Sequence, residues 1–406
     1  MPDTVMVDLR ALDDPAARAD PYPILRALRE RAPLWGADGT LLVVGSHQHC
    51  HQVLRAPQVS CDRSASRLSH AARSPETKSF LYFDPPDHTR LRRLVSTAFT
   101  PRVVSGLAPH IQRITDDLID AAAARGEFDV VRDLANPLPL RIICELLGVP
   151  DVDHGLMRDW STPVARSSEP EFITAEPGAD AEAEDGRNQL AAYFRDLIAE
   201  RRANPRDDLV SYLVGVEDDG DVLTDYETVA TCVLLLVAGH ETTANLIASA
   251  LVALLRHPDQ FAALAADPGL ADGTVEESLR YDAPVQLTTR VVRGSITVGG
   301  EEAADGTVLL LLLAAANRDP AVFDNPDRFD LHRRPGRHLA FAAGPHFCLG
   351  AGLARIEGAI ALRTLTDRLV RPRLDEDRLR YKPNVNLRGP AQVIVDADDI
   401  RPAGAG

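Results

Sequence analysis

The chain has 406 residues, of which 45% are hydrophobic and 26% charged, and it carries a formal net charge of −16. Such a composition is typical of a globular protein with a core large enough to enclose a cofactor, and it excludes disorder over most of the length. The acidic surplus argues against nucleic acid as a partner, because a phosphate-binding surface needs clustered Lys and Arg.

The first twenty residues are rich in aspartate and hold no apolar run. We therefore expect neither a signal peptide nor an N-terminal membrane anchor. The longest apolar stretch, Val308 to Ala316, is less than half of the roughly 20 residues that a membrane-spanning helix needs. We therefore expect a cytoplasmic protein without a membrane segment. Five widely spaced cysteines without a Cys-x-x-Cys pair argue against a disulfide framework.

Most of the chain shows the helical period of apolar residues. The clearest helical segments are Pro21 to Arg31, Val103 to Ala124, Leu138 to Leu147, Leu190 to Arg202 and Tyr226 to Leu255. Short β-rich runs occur at Leu41 to Val44, Leu287 to Val292 and Val308 to Leu313. No stretch has the composition of a linker. The predicted fold class is therefore mainly α with a small β region, in a single domain of residues 1–406.

Three residues near the N-terminus have the spacing of a metal site on a helix. His47, Cys50 and His51 stand at i, i+3 and i+4, which would place all three on one face. No fourth ligand is evident in the sequence, so we interpret them as part of an ordinary helix face.

Two polar segments predict loops. Residues Asp62 to Lys78 are rich in Ser and Arg, and residues Ser167 to Gly186 are rich in acidic side chains. The simpler interpretation is that both are solvated loops. Long loops in a compact domain often close over a binding site, so a substrate-gating role is the alternative.

A short basic stretch stands out in this acidic protein. From Thr89 to Arg102 the chain holds four arginines and no acidic residue. A local cationic surface is a docking site for an acidic partner, which it attracts by electrostatic steering. We expect Arg93 and Arg102 to face outward and to form this docking patch. The alternative is a solvated helix face whose arginines pair with nearby carboxylates.

The long apolar helix predicted from Tyr226 to Leu255 is interrupted by the polar sequence Ala238-Gly-His-Glu-Thr-Thr243. Polar groups in the middle of such a helix are costly unless they meet water, a partner or a ligand. Residues 238 and 242 share a face, so the Thr242 hydroxyl can donate a hydrogen bond to the carbonyl of Ala238 and open a groove.

The same stretch also begins the His-Glu-x-x-His pattern of zinc peptidases, in which two histidines one turn apart bind the metal. His240 and Glu241 match, but position 244 is alanine. The missing second ligand argues against a zinc hydrolase.

Glu277 and Arg280 lie three residues apart in the next helical segment, where i and i+3 share a face. The carboxylate can therefore orient the guanidinium. The pattern Glu-x-x-Arg alone has little specificity.

The strongest motif is the sequence Phe341-Ala-Ala-Gly-Pro-His-Phe-Cys348-Leu-Gly350, which precedes a helical segment from Ala351 to Leu369. A cysteine ahead of a helix is exposed to the positive end of the helix dipole, and nearby glycines let backbone N–H groups approach its sulfur. Both effects favour the thiolate, so we expect Cys348 to be ionised.

These residues resemble the haem-binding signature of the cytochrome P-450 family, through Phe341, Gly344, His346, Cys348 and Gly350. One departure is Ala342, where many members have glycine. The resemblance covers nearly the whole chain, since the segments around Thr242, Glu277 and His88 fit in the same order. It implies the mainly helical P-450 fold and haem b, with the Cys348 thiolate as the axial iron ligand.

The resemblance also implies roles for residues outside the cysteine segment. By this resemblance, Glu241 and Thr242 are the catalytic acid–alcohol pair, in which the threonine holds O2 and the acid relays protons. Glu277 and Arg280 become part of a buried structural network, with Arg328 or Arg334 as the third member. The implied haem-binding residues are His88, Arg92, Arg290 and His346 at the propionates, together with Ala238, Phe341, Gly344 and Gly350.

The implied activity is monooxygenation, with one atom of O2 inserted into a mainly apolar substrate, as in natural-product biosynthesis. Electrons would come from NAD(P)H through a ferredoxin reductase and a ferredoxin, because the chain has no Gly-x-Gly-x-x-Gly motif. We expect a monomer. The predicted substrate-pocket residues are Leu234, Val237, Ala238, Val285, Leu287 and Asn386. Two alternatives remain open: a haem gas sensor without turnover, and a peroxide-driven peroxygenase.

Overall fold

The computed structural model describes residues 4–68, 79–170, 172–174, 179–218, 220–334 and 336–404. Residues 69–78, which belong to the first predicted loop, lie outside the described residues, as do residues 171 and 175–178 of the second.

Helices make up most of the described chain, as the apolar periodicity predicts. Their bounds are α1 Thr4–Arg10, α2 Pro15–Ala19, α3 Tyr22–Arg31, α4 His47–Arg55, α5 Asp87–Ser96, α6 Pro101–Gly106, α7 Ala108–Ala123, α8 Pro137–Leu147, α9 His154–Arg166, α10 Ala179–Ala203, α11 Leu209–Gly215, α12 Asp225–Arg256, α13 Pro258–Ala266, α14 Ala271–Tyr281, α15 Leu313–Ala316 and α16 Ala351–Arg368.

The strands are short and form small sheets. They are β1 Leu34–Gly36, β2 Leu41–Val44, β3 Val59–Ser60, β4 Phe128–Asp129, β5 Glu217–Asp218, β6 Asp221–Val222, β7 Thr288–Val292, β8 Ser295–Val298, β9 Glu301–Ala304, β10 Val308–Leu311, β11 Leu369–Val370, β12 Arg373–Leu374, β13 Arg380–Tyr381, β14 Pro390–Gln392, β15 Ile394–Asp396 and β16 Asp399–Ile400. The largest described sheet has the order β1-β2-β10-β7-β3 and pairs β2 with β10 in parallel. Mainly α with a small β region is therefore the correct fold class.

Helix α12 runs through the middle of the fold and positions the site. Its start is fixed by a capping box, in which the Thr224 side chain accepts the Glu227 N–H and the Glu227 carboxylate accepts the Thr224 N–H. The helix packs against α8, α10, α14 and α16, and most of its side chains are buried. Apolar burial on several sides holds this helix rigidly in the core.

By length and composition, α12 could also cross a membrane, with a mean hydropathy of 1.3 over its most apolar window. However, 67% of that window is buried inside the protein. A core helix passes the same test, so this feature is weak evidence for a membrane span.

Two of the element predictions need correction. The segment from Val103 to Ala124 forms two helices, α6 and α7, instead of one. Pro109 stands in the first turn of α7, where its missing N–H costs nothing, but it could not continue a preceding helix. The end of the second predicted loop is helical, because α10 begins at Ala179. Alanines favour helix there, and Asp180 and Glu182 in the first turn complement the helix dipole.

Candidate active site

A buried cavity of about 510 Å³ lies between α12, β7 and the segment that contains Cys348. Pockets of this order hold cofactors and drug-sized ligands. All the predicted substrate-pocket residues line it, namely Leu234, Val237, Ala238, Val285, Leu287 and Asn386. Its wall is mainly aliphatic and aromatic, which favours an apolar occupant.

The cysteine segment forms a tight loop at one side of this cavity. The Cys348 N–H donates to the Phe341 carbonyl at 3.0 Å, which closes the loop. Gly344 has a φ of +72°, and a Cβ built there would lie 2.4 Å from the carbonyl oxygen of Leu54. Only glycine fits that position. Ala342 has a φ of +57°, so the one departure from the signature places a methyl group on left-handed backbone, at a steric cost of about 1–2 kcal/mol.

The electrostatic surroundings of Cys348 combine the predicted backbone donors with deep burial. Burial raises the pKa of its thiol, although backbone N–H groups of Gly350 and Ala351 and the guanidinium of Arg92 act in the opposite direction. The net direction is upward because desolvation of a buried thiolate outweighs these contacts. The backbone donors that the sequence predicts are therefore present, and a metal cation bound to the sulfur would offset the cost of desolvation.

Four basic side chains lie together next to the cysteine loop, as the sequence predicts. The rings of His88 and His346 are in contact, with their centroids 4.0 Å apart and their planes tilted by 38°. Arg92, Arg290 and His346 line the cavity. Both ring nitrogens of His88 are buried without a hydrogen-bond partner, and neither arginine forms a salt bridge within the described ranges.

The positive charges of this basic cluster act on one another. Burial lowers the pKa of His346 to about 3, and the positive charges of His88, Arg290 and Arg92 contribute in the same direction. Burial and then Arg92 likewise lower the pKa of His88. An anionic group bound here would pair with the guanidiniums and raise both histidine pKa values.

On the opposite part of the wall, the Thr242 hydroxyl donates to the Ala238 carbonyl at 2.8 Å, as the i, i+4 spacing predicts. Both residues line the cavity, together with Gly239 and Thr243. Helix α12 is continuous through this position, so the hydroxyl bonds to the carbonyl without breaking the helix. The site therefore presents a hydroxyl group to the interior.

Glu241 points away from this cavity. Its carboxylate accepts a hydrogen bond from the ammonium of Lys382 at 2.6 Å, and the same ammonium donates to Oδ1 of Asn245 at 2.8 Å. The side chains of Glu241 and Lys382 are 10% and 16% exposed, so the ion pair is largely buried. The acid therefore lies on the helix face next to the one that carries Thr242.

Neither potential metal pattern forms a metal site. Within the described part of the chain, no group of three or more His, Cys, Asp or Glu side chains could hold a metal ion. His240 is buried, which lowers its pKa to about 4. In the N-terminal pattern, His47 Nε2 contacts the Arg337 carbonyl, and Cys50 Sγ donates to the Val44 carbonyl.

The Glu277–Arg280 pair is present and buried, with Nε of Arg280 2.7 Å from the Glu277 carboxylate. The third member is Arg333, whose Nε lies 3.1 Å from Glu277. The prediction of Arg328 or Arg334 is wrong. Arg328 contributes only its carbonyl, which accepts from Arg280, and Arg334 is exposed. Three arginines occur in seven residues of irregular chain, where no periodicity indicates which one points inward.

The two patch arginines differ in their surroundings. Arg93 lies 2.5 Å from Asp218 and 3.7 Å from Asp221. Arg102 is exposed on α6, and it has no ion pair among the residues that the structure describes. The alternative of paired arginines therefore applies to Arg93, and Arg102 remains as the candidate docking residue.

Three polar residues at this site were missed by the sequence interpretation. Lys382 is one of only two lysines in a chain that otherwise uses arginine, and this rarity is a signal that could have indicated it. Glu357 lines the cavity with one carboxyl oxygen lacking a partner, and burial raises its pKa to about 8. Glu169 accepts hydrogen bonds from the backbone of a turn that borders the cavity. Glu169 lies in an acidic run, so nothing in the sequence singles it out.

Comparisons with known proteins agree with this geometry. A family model described as cytochrome P-450 matches residues 178–267 and 269–369. The cytochrome P-450 monooxygenase PikC of Streptomyces venezuelae is 41% identical over 396 residues, which cover 95% of this chain and 92% of PikC. Ligand-free CYP164A2 of Mycobacterium smegmatis has a TM-score of 0.89 at 46% identity, covering 96% of this chain and 99% of that one. CYP164A2 has also been solved with econazole bound. A mutant of the P-450 EryK in complex with erythromycin B has a TM-score of 0.84 at 36% identity, covering 98% of this chain and 99% of that one.

Proposed function

The chain belongs to the cytochrome P-450 family of monooxygenases, and from this premise we propose that it inserts one oxygen atom from O2 into a mainly apolar natural product. The observation that carries the proposal is that Cys348 and the Thr242 hydroxyl line one buried, largely apolar cavity. We further propose that residues 1–406 form one domain that acts as a cytoplasmic monomer.

The residues around the cavity fit haem b, with Cys348 as the iron ligand. A buried thiol with a raised pKa becomes a stable thiolate when it binds a metal cation. Both ring nitrogens of His88 lack a partner, and the guanidiniums of Arg92 and Arg290 form no salt bridge among the described residues, although Arg290 donates to the Thr289 carbonyl at 2.8 Å. These groups fit two propionates, with His346 beside them. Ala238, Phe341, Gly344 and Gly350 would surround the ring. When bound, thiolate-ligated haem supplies the activation of O2.

The chain's own contribution to the reaction is the control of protons at the cavity. Thr242 holds a proton at its hydroxyl on the cavity side of α12. Glu241 lies one residue earlier, next to Lys382, at a place that is slightly exposed. We therefore assign Glu241 to proton uptake from solvent and Thr242 to proton donation inside the cavity.

The lining favours a neutral, apolar substrate. Leu234, Val237, Val285 and Leu287 form an aliphatic wall, and Asn386 adds one amide to it. Among the described lining residues the carboxyl group is that of Glu357, and burial raises its pKa to about 8, which disfavours the charged form that a cationic substrate would need. The structural relative EryK was solved with erythromycin B, which supports a natural product as the substrate class.

We propose that electrons reach the site from NAD(P)H through a ferredoxin reductase and an acidic ferredoxin. The sequence has no dinucleotide-binding Gly-x-Gly-x-x-Gly motif, which supports separate electron-transfer proteins. The guanidinium of Arg102 is exposed and has no ion pair among the described residues, so it offers a local positive charge on an acidic protein.

The test is a screen of the haem-loaded protein against a natural-product library, read by the shift of the haem absorbance that accompanies substrate binding. Compounds that bind are then incubated with ferredoxin, reductase and NAD(P)H under isotopically labelled O2. We expect a product that carries one labelled oxygen atom. Binding without any labelled product, with electron transfer demonstrated, would contradict the proposal and favour a ligand-binding role.

A further inference from the structure

Glu169 joins two walls of the cavity that are far apart in sequence. It lies just after α9, which ends at Arg166, in a segment whose neighbours Ser168 and Pro170 line the cavity. Its carboxylate reaches a turn near the C-terminus. Residues 385–387 of that turn are buried, and Asn386 and Leu387 line the cavity from the other side.

The contact consists of three hydrogen bonds to consecutive backbone N–H groups. One carboxylate oxygen of Glu169 accepts from Val385 at 2.9 Å and from Asn386 at 2.7 Å, and the other accepts from Leu387 at 3.0 Å. Within the described chain, Glu169 is the only acceptor for these three donors. Successive N–H groups that converge on one anion form a strong binding site for it.

The loop side of this contact is attached firmly to α9. The hydroxyls of Ser167 and Ser168 donate to the carbonyls of Val164 and Ala165, both at 2.7 Å, and continue the helix end. The amide of Asn386 adds a weaker bond to the Ser168 carbonyl at 3.4 Å. Movement of the loop therefore moves α9 with it.

The turn side is attached to the cavity floor. The Asn386 carbonyl accepts from the Gln286 N–H at 2.9 Å, and its side-chain oxygen accepts from the Leu287 N–H at 3.3 Å. The Leu387 carbonyl accepts from the Asn245 side chain of α12 at 3.3 Å. The turn therefore stays with the core when the loop moves.

We propose that Glu169 is a positioning residue that fastens the loop after α9 to the turn 385–387, so that its three hydrogen bonds must break before a bulky ligand can enter or leave the cavity. The closed state is stabilised by these hydrogen bonds themselves. Without Glu169, three buried N–H groups would lose their acceptor, which is costly, whereas opening exposes them and the carboxylate to water together. Small molecules need no such opening.

The proposal depends on the proposed haem site only through the spectral probe. An azole nitrogen that binds the haem iron changes the haem absorbance, so the association and dissociation of azoles can be followed directly. Econazole serves as the bulky probe and imidazole as the small one. The haem-loaded wild type is compared with E169A, E169Q and the matched control E184Q, which removes an exposed carboxylate from α10.

We expect E169A to increase the association and dissociation rates of econazole about tenfold, because the closed state loses three hydrogen bonds. Imidazole rates should not change, and E169Q should lie between wild type and E169A because an amide keeps one acceptor oxygen. E184Q should match the wild type. Equal econazole rates in wild type and E169A, or equal acceleration of both azoles, would overturn the proposal.

A second measurement needs no variant. In the wild type, the backbone amides around residues 167–170 and 385–387 should exchange their hydrogens at the same rate, because one opening motion exposes both segments. Saturating econazole should slow the exchange of both. Different opening rates would overturn the proposal. If the wild type bound no haem through a thiolate, azoles would give no thiolate-type spectrum, and the failure would then belong to the proposed function.

Discussion

The ammonium of Lys382 lies 2.6 Å from Oε1 of Glu241, on the helix face next to the one that carries Thr242. The acid of the acid–alcohol pair is thus fixed by a residue from the C-terminal region of the chain, 141 positions away. The pair is largely buried, which makes each charge dependent on the other.

We predict that K382M and E241Q each lower the free energy of unfolding by about 2 kcal/mol, because each leaves a buried charge without its partner. The double variant should lose at least about 1 kcal/mol less than the sum of the two. Urea unfolding followed by circular dichroism measures all four proteins. Additive losses would show that the ion pair contributes nothing to stability.

Thr242→Ala should bind substrate nearly as tightly as the wild type but form less product per NAD(P)H, with hydrogen peroxide as the by-product. The hydroxyl that holds a proton in the cavity is lost, whereas the apolar wall is unchanged. Thr228→Ala is the matched control, since the Thr228 hydroxyl donates to the Thr224 carbonyl in the same helix but outside the cavity. If T242A retained wild-type coupling, its assigned role would be wrong.

Arg102→Glu should slow the first electron transfer from an acidic ferredoxin severalfold at low salt, and the difference should shrink as salt screens the charge. Substrate binding should not change. Arg293→Glu serves as the control because Arg293 is also an exposed arginine. Arg93 is a poorer test residue, since its reversal would also disrupt the contacts with Asp218 and Asp221. Unchanged transfer rates at low salt would exclude Arg102 from the docking surface.

Glu357→Gln should alter how stability depends on pH. Burial raises the pKa of Glu357 from 4.5 to about 8. The folded protein then keeps a proton that the unfolded chain releases, so wild-type stability falls as the pH rises through this interval. Relative to wild type, E357Q should become steadily more stable between about pH 5 and about pH 8, with no further gain above.

Urea unfolding of the haem-loaded proteins at several pH values measures this difference. E184Q, which removes an exposed carboxylate, should show little of the trend. A stability difference between E357Q and wild type that stays constant with pH would mean that Glu357 is ionised in the folded protein.

Sequence periodicity predicted the bounds of a helix correctly where the ends of the helix carry clear signals. The helix predicted from Tyr226 to Leu255 is α12, Asp225–Arg256, because a capping box begins it and Pro258 follows its end. Periodicity could not divide α6 from α7, because the buried residues Val104, Ile111 and Leu118 keep a seven-residue spacing across the break.

Contacts between segments that are distant in the chain could not be predicted from the sequence. The choice of Arg333 over its neighbours, the partnership of Lys382 with Glu241, and the contact of Glu169 with the turn all depend on tertiary geometry. The burial of Cys348 could not be predicted either, because the depth of burial cannot be read from a motif.

The central claim is that Cys348 binds the haem iron as a thiolate. The other four cysteines are buried within the protein and lie outside the signature loop. The most direct measurement is the absorbance of the reduced protein with carbon monoxide, for the wild type and for Cys348→His. The wild type should show the red-shifted band that marks thiolate ligation, and the histidine variant should retain haem without it. A red-shifted band that persists in the variant would assign the iron to another cysteine and contradict the account.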